Sequence, residues 1–309
     1  MTRGMITVAT GKLHYYMMAA NLLLSYRKVS KNPMPFAIIA EEENEYTALF
    51  DDVILTTEAT HSFMDKLLLL KLSPYDENIF FDADSLAYGD LNEYWDFFEG
   101  ATDFSSLGEN FPVEQPGGAW YDVDGIGKYG PLLPYKTRVH MGVCFIRNSP
   151  EILKMYDTIL DIQKNKDQVH FHTNPLSIDE GFIGIAMPLH GFLAIEEKPH
   201  MMGAHPCLTW LKADLLRQQL SYRTAWGTET DRGILIHWGT SQTYRALYRF
   251  HAECLHYMIR LEKSRPTLLD KLLYDWKLRY GLLYLADIPH HTRIWLRRTA
   301  GRMLRHFRK

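Results

Sequence analysis

The sequence predicts an α/β fold, a mostly parallel sheet flanked by helices, followed by a helical C-terminal extension. Three observations carry this. Short apolar runs alternate with helical patterns through the first half. Those runs are rich in Val, Ile and Phe, as strands buried on both faces require. And from Tyr244 onward the pattern is helical to the end. The strands are expected at Met5–Ala9, Phe36–Ala40, Asp52–Thr56, Ile79–Phe81, Met141–Ile146 and Ile234–Trp238. Helices are expected at Tyr15–Tyr26, Glu41–Leu49, Phe63–Leu72 and Glu151–Ile162. Such alternation builds right-handed βαβ units. Their ligands sit beyond the carboxyl ends of the strands, which puts Thr10, the Ala40–Glu42 corner and Asp82–Asp84 on one rim. Between Phe111 and Pro134, Gly, Pro and aromatic residues replace the pattern with a long loop, and a long loop in a compact domain is more often functional than accidental.

A length of 309 residues suits one elaborated domain, and we divide the chain into a unit at 1–245 and an extension at 246–309. With 46% hydrophobic and 23% charged residues, extensive disorder is excluded. A net charge of −3 argues against nucleic acid as the partner. The cysteines Cys144, Cys207 and Cys254 are odd in number and widely spaced, which predicts reduced thiols and a cytoplasmic setting.

Asp-x-Asp occurs twice, and context separates the copies. Asp122-Val123-Asp124 lies in the Gly-rich loop and reads as a solvated turn. Asp82-Ala83-Asp84 directly follows Ile79-Phe80-Phe81. Two carboxylates at the tip of a buried strand repel each other and lose solvation unless a cation offsets them. Mn²⁺ or Mg²⁺, bound by hard oxygens and shared with a diphosphate, is the natural counter-ion. Gly125-Ile126-Gly127 opens no glycine-containing helix and is not a dinucleotide fingerprint. His170-Phe171-His172 has no neighbouring ligands in sequence and reads as a loop.

The segment from Asn78 to Leu91, reading Asn-Ile-Phe-Phe-Asp-Ala-Asp-Ser-Leu-Ala-Tyr-Gly-Asp-Leu, resembles the signature of the GT-A-fold glycosyltransferases of family 8, as does the strand Leu49–Leu55 before it. The resemblance spans roughly residues 5–240. It implies a metal-dependent glycosyltransferase that moves a hexose from a UDP-sugar to a saccharide or lipid-linked glycan, with retention favoured. By the same resemblance Asp82, Asp84 and His237 hold the metal, and Lys66, sixteen residues before Asp82, contacts the sugar nucleotide. Thr10 and Tyr15 mark the uracil-binding start, with Tyr16 competing for the stacking role. Asp179 orients the sugar and Glu180 lies near the anomeric carbon, where the family carries glutamine. A capping box of Ser177 and Glu180 is the structural alternative there. His140-Met141-Gly142 stands where many members have Asn-Ser-Gly below the donor. After His237 the chain lacks the family's lysine and Pro-Trp, and Arg245 is the candidate replacement. These departures keep open a second reading, a catalytically idle nucleotide-sugar-binding scaffold.

Residues 293–309 contain seven cationic side chains and no acidic one. On a helix, Leu296, Ala300, Met303, Leu304 and Phe307 gather on one face opposite the arginines, the pattern of a segment lying in an anionic membrane interface. This predicts peripheral attachment to the inner face of a membrane.

Overall fold

The computed structural model describes residues 1–172, 178–261 and 265–285. Strands β1 (Arg3–Val8), β2 (Phe36–Ala40), β3 (Asp52–Leu55) and β4 (Glu77–Phe81) run parallel. After β5 (Ser85–Ala87), β7 (Lys136–Arg147) joins the same sheet antiparallel to β4, and β6 (Phe104–Phe111) pairs antiparallel with β7 at the edge. The order is β3-β2-β1-β4-β7-β6, so the expectation of a mostly parallel sheet holds.

Alternation along these strands feeds two cores, because successive side chains leave on opposite faces. Met5, Ile38, Ile79 and Phe81 pack under helix α1 (Leu13–Val29), which contributes Tyr16, Ala19, Leu22, Leu23 and Tyr26. Ile6, Ala37, Ile39 and Phe80 face the other way. They pack with Ile152, Met155 and Ile159 of α4 (Pro150–Lys164) and Phe182 and Ile183 of α5 (Ile178–Leu189). Between these helices and α1 lies only a short α3 (Glu93–Phe97), after a single α turn, α2 (Leu69–Leu72). The start of α4 is fixed by Ser149, whose hydroxyl accepts the Ile152 N–H at 3.3 Å, and by Pro150 in the first turn.

Two smaller sheets complete the described chain. In one, β12 (Leu235–His237) lies antiparallel to β5 and parallel to β8 (Met202–Ala204). The other joins β9 (Leu208–Asp214), β10 (Gln219–Thr224) and β11 (Glu229–Thr230). Helix α6 (Ala246–Leu261) closes a third core through Tyr248, Leu255 and Met258 against Trp238, Tyr88 and Met18.

Where helix was expected over Glu41–Leu49, only the 3-10 turn Thr47–Leu49 forms. The Asn44 side chain accepts the N–H groups of Tyr46 and Thr47 at 2.9 and 3.1 Å, and this local turn displaces a helical ladder. Phe63–Leu72 is helical in two pieces, a 3-10 run Phe63–Leu68 and then α2. The loop before β7 contains the 3-10 turns Val123–Gly125 and Gly127–Leu132. After α6 the helical reading continues in pieces: a short turn, α7 (Leu268–Asp270), capped by Thr267, a π turn Lys271–Asp275, and a helical stretch over 278–285. Among the described residues no helix is long and apolar enough to cross a membrane. The basic segment 293–309 and Ser177 lie outside the described residues.

Candidate active site

β4 ends at Phe81, and the chain then turns sharply. The Asp82 N–H bonds Gly142 O at 3.0 Å, and the Ser85 N–H returns to Asp82 O at 3.0 Å. Ala83 is buried in the core, so Asp82 and Asp84 are held on either side of it. The next strand, β5, pairs with β12 so that Ser85 faces His237, and the Trp238 N–H bonds Asp84 O at 3.0 Å. This pairing brings a distant histidine to the two aspartates. Ligand atoms of Asp82, Asp84 and His237 all lie within 4.8 Å of one another, the one such group among the described residues.

His237 Nε2 is 3.0 Å from Asp84 Oδ1 and 3.4 Å from Asp82 Oδ2. A single N–H cannot align with both, and Asp84 Oδ1 is buried without a hydrogen bond. Thr240 Oγ1 donates to the other Asp84 oxygen at 3.2 Å. Room for the imidazole depends on Gly142, where a Cβ would sit 2.8 Å from Met202 Sδ and 3.2 Å from His237 Nδ1. Gly142→Ala is therefore expected to cost roughly 1–3 kcal/mol by overpacking and to diminish any rise in Tm produced by Mn²⁺. An alanine variant with the parent's Tm and Mn²⁺ response would show that the contact is slack.

Lys66 projects from the 3-10 run Phe63–Leu68. Its neighbour Asp65 fixes that run by accepting from Thr10 Oγ1 (2.6 Å), Thr60 N (2.7 Å), Thr60 Oγ1 (2.6 Å) and His61 N (3.0 Å). Lys66 Nζ reaches Asp82 Oδ2 at 2.5 Å and Asp179 Oδ2 at 3.6 Å. Asp179 and Glu180 open α5. Glu180 Oε1 accepts the Met141 N–H at 3.1 Å. That N–H is free because β7 bulges away from β6 there, the register jumping from Ser106↔Cys144 to Leu107↔His140.

These contacts set the charges. Burial alone would lower the Lys66 and His237 pKa values, but the carboxylates outweigh it. Lys66 is driven above the ordinary lysine range by Asp82 and Asp179, and His237 rises to about 10 by Asp84 and Asp82. Burial would raise Asp82, yet Lys66 and His237 hold it below the usual carboxylate range. Glu180 moves up, through burial and then the nearby Asp179 charge.

The other expected positions divide. Thr10 is on the rim, but its hydroxyl is committed to Asp65. Tyr15 is half-buried, its pKa raised by burial and by Tyr244, Asp84 and Asp82. Tyr16 is core, 1% exposed, and is removed as a stacking candidate. Arg245 precedes α6 and has no ion-pair partner among the described residues. Asp122 does not stand alone in a solvated turn, because His172 Nε2 lies 2.6 Å from its Oδ2 and ties the loop to the 170–172 segment. The loop is also pinned by Trp120 Nε1 to Val139 O at 3.0 Å and by Lys136 Nζ to Gly117 O at 2.8 Å.

His14, Thr240 and Glu197 join the site without any mark in the sequence pattern, and Thr243 joins it where the family pattern is broken. His14 Nε2 lies 2.8 Å from Thr243 Oγ1 and its ring stacks on Tyr244 at 4.2 Å. Glu197 Oε2 is 3.7 Å from His140 Nδ1. None of these has a period or spacing that marks it.

No protein-family model and no curated protein matches the chain. Solved structures do. The galactosyltransferase LgtC, in complex with donor and acceptor sugar analogues, aligns over 85% of this chain and 97% of its own, with a TM-score of 0.50 at 13% identity. An active-site mutant of LgtC aligns over 83% and 95%, with a TM-score of 0.51 at 12% identity. The bifunctional glycosyltransferase WbbM aligns over 79% of this chain at a TM-score of 0.46 and 12% identity. The chain spans 47% of WbbM and 46% of the glycosyltransferase GlyE of Streptococcus pneumoniae, about half of each. At such identities the likeness to LgtC establishes the fold, which is that of the GT-A glycosyltransferases.

Proposed function

We propose that this protein is a metal-dependent glycosyltransferase that moves a hexose from a UDP-sugar to a saccharide or lipid-linked glycan. The observation that carries the reading is the cluster of Asp82, Asp84 and His237 at the carboxyl rim of the sheet, with Asp84 Oδ1 buried and lacking a hydrogen bond. Two hard oxygens and an imidazole nitrogen suit Mn²⁺ or Mg²⁺. Such an ion supplies positive charge to a departing diphosphate.

The chain's own residues do the rest. Lys66 fixes Asp82 and Asp179 in one charge network. Asp179, buried beside Lys66, is the residue we assign to orienting sugar hydroxyls. Glu180, held by the Met141 N–H, sits beside it. In the retaining course we favour, the anomeric C–O bond to the diphosphate breaks as the acceptor oxygen bonds to the same face. The acceptor's proton passes to the departing diphosphate oxygen. Glu180 stands where the family resemblance places glutamine, and its raised pKa favours a hydrogen-bonding role over that of an anionic nucleophile. Tyr15 and Thr10 line the nucleotide end, and the pinned loop around Trp120, beside His140, helps cover the donor. The catalytic unit spans 1–245, and the extension carries the basic segment 293–309 to an anionic membrane at the cytoplasmic face.

Release of UDP from UDP-hexoses in the presence of Mn²⁺ tests the reading. Asp84→Asn is expected to lower turnover and Mn²⁺ affinity by ~100-fold or more, since even outer-shell changes cost 10–100-fold. No UDP release with any donor, together with UDP binding indifferent to Asp84→Asn, would leave the idle-scaffold reading in its place.

A further inference from the structure

A cleft of about 390 Å³ runs between α1 and α6. His14, Asn21, Tyr244, Tyr248 and Arg249 are among its lining residues. This is within the size range of small-molecule sites. Its wall is joined to the metal cluster by hydrogen bonds. His14 contacts Thr243 Oγ1 at 2.8 Å, Thr243 Oγ1 donates to Thr240 O at 2.7 Å, and Thr240 Oγ1 donates to Asp84 Oδ2 at 3.2 Å. Because the Thr243 hydroxyl proton is spent on Thr240 O, His14 Nε2 is the donor in the first of these contacts. Lys66 and Asp179, which bound the sugar side of the cluster, take no part in this wall.

Three features of the cleft have no use within the protein. Asn21 is 1% exposed, and its Oδ1 accepts no hydrogen bond, while its Nδ2 donates to Tyr248 Oη at 3.4 Å. A buried amide oxygen left unpaired is costly, and a ligand hydroxyl would satisfy it. Tyr244 stacks on His14 with an interplanar angle of 17° yet remains 55% exposed, a braced aromatic platform. Arg249 has no ion-pair partner among the described residues. The one acid of the lining, Glu253, is already held by Arg279 at 2.7 and 2.9 Å. With Glu253 paired, the unpaired charge of the cleft is the Arg249 guanidinium.

We propose that this cleft binds a phosphorylated saccharide. The hydroxyl acceptor, the aromatic platform and the free guanidinium match a sugar hydroxyl, the C–H face of a pyranose ring and a phosphate. Resting on the glycosyl-transfer reading, the occupant is the acceptor, approaching the metal cluster from the Thr240 side.

Titration calorimetry of the full chain, without metal or UDP, tests binding independently of turnover. Glucose 6-phosphate is expected to bind at least tenfold more tightly than either glucose or inorganic phosphate. Arg249→Gln and Tyr244→Ala, both at exposed side chains, are each expected to weaken it at least tenfold. Saturating UDP with Mn²⁺ should leave it bound. Absence of binding overturns the proposal, as does binding indifferent to both substitutions. Inorganic phosphate binding equally well would reduce the cleft to a plain anion patch. Displacement by UDP would make it part of the donor site. If glucose 6-phosphate binds as expected while no UDP-hexose is turned over, the cleft stands and the transfer reading falls.

Discussion

Lys66→Met is expected to destabilise the metal-free protein by roughly 3 kcal/mol, because removing one partner of a buried ion network leaves uncompensated charge. Nζ is 2.5 Å from Asp82 Oδ2 and 3.6 Å from Asp179 Oδ2, and the Asp179 side chain is only 4% exposed. Methionine fills the same volume, so the loss is electrostatic and packing changes little. Its signature is a difference in how the two proteins respond to a divalent ion. Mn²⁺ would take over neutralisation of Asp82, so it should raise the Tm of Lys66→Met by more than that of the parent. Asp179 stays unpaired in both conditions, and the rescue is therefore partial. Thermal unfolding with and without Mn²⁺ reads this directly. A variant melting within a degree of the parent, with the same Mn²⁺ response, would mean that the Lys66 bridge holds nothing.

The parts of the site legible in the sequence are those attached to long, periodic elements. Asp82 and Asp84 stand out because they directly follow β4, five consecutive buried residues. His237 is legible for a related reason, as the end of an apolar strand followed by glycine. What joins them is not legible. β5 and β8 are three residues each, too short to show a period, and β12 finds β5 only through tertiary pairing. The bulge between β6 and β7 that frees the Met141 N–H for Glu180 of α5 is likewise a property of tertiary pairing. Local chemistry misleads at Glu41–Leu49, where an acid-rich stretch predicts helix and Asn44 instead caps its own turn. Thr10 shows a subtler failure. It stands on the rim, but its hydroxyl is spent on Asp65, the residue that fixes the run carrying Lys66.

Two buried histidines give opposite pH signatures, and their contrast is the second large effect expected. His251 is 1% exposed, with its ring 5.6 Å from Tyr88 and 5.9 Å from Trp238, and neither ring nitrogen has a partner. Burial depresses its pKa to about 3, against an ordinary 6.5. Its neutral form is therefore the folded form. As pH falls below 6.5 the unfolded chain takes up a proton that the folded chain refuses. Stability is then lost at up to ~1.4 kcal/mol per pH unit until about pH 3. His237 has the reverse sign. Raised to about 10, it contributes stability that is complete below 6.5 and is lost as pH rises toward 10. Urea unfolding of the metal-free protein from pH 4.5 to 9.5 should thus fall away on both sides of neutrality. His251→Phe keeps an aromatic ring in place and should flatten the acid limb by up to roughly 2.7 kcal/mol at pH 4.5, leaving the alkaline limb unchanged. That window lies above most carboxylate titration, and the remaining histidines are common to both proteins. Parallel acid limbs would show that His251 protonates in the folded state, against its burial. What separates them is that β5 and β12 bring Asp82 and Asp84 against His237, whereas the Asp214 charge near His251 does not offset its burial. The same carboxylates that make His237 cationic in the empty cluster make it a metal ligand once its proton is displaced, so Mn²⁺ should bind more tightly as pH rises across the alkaline limb.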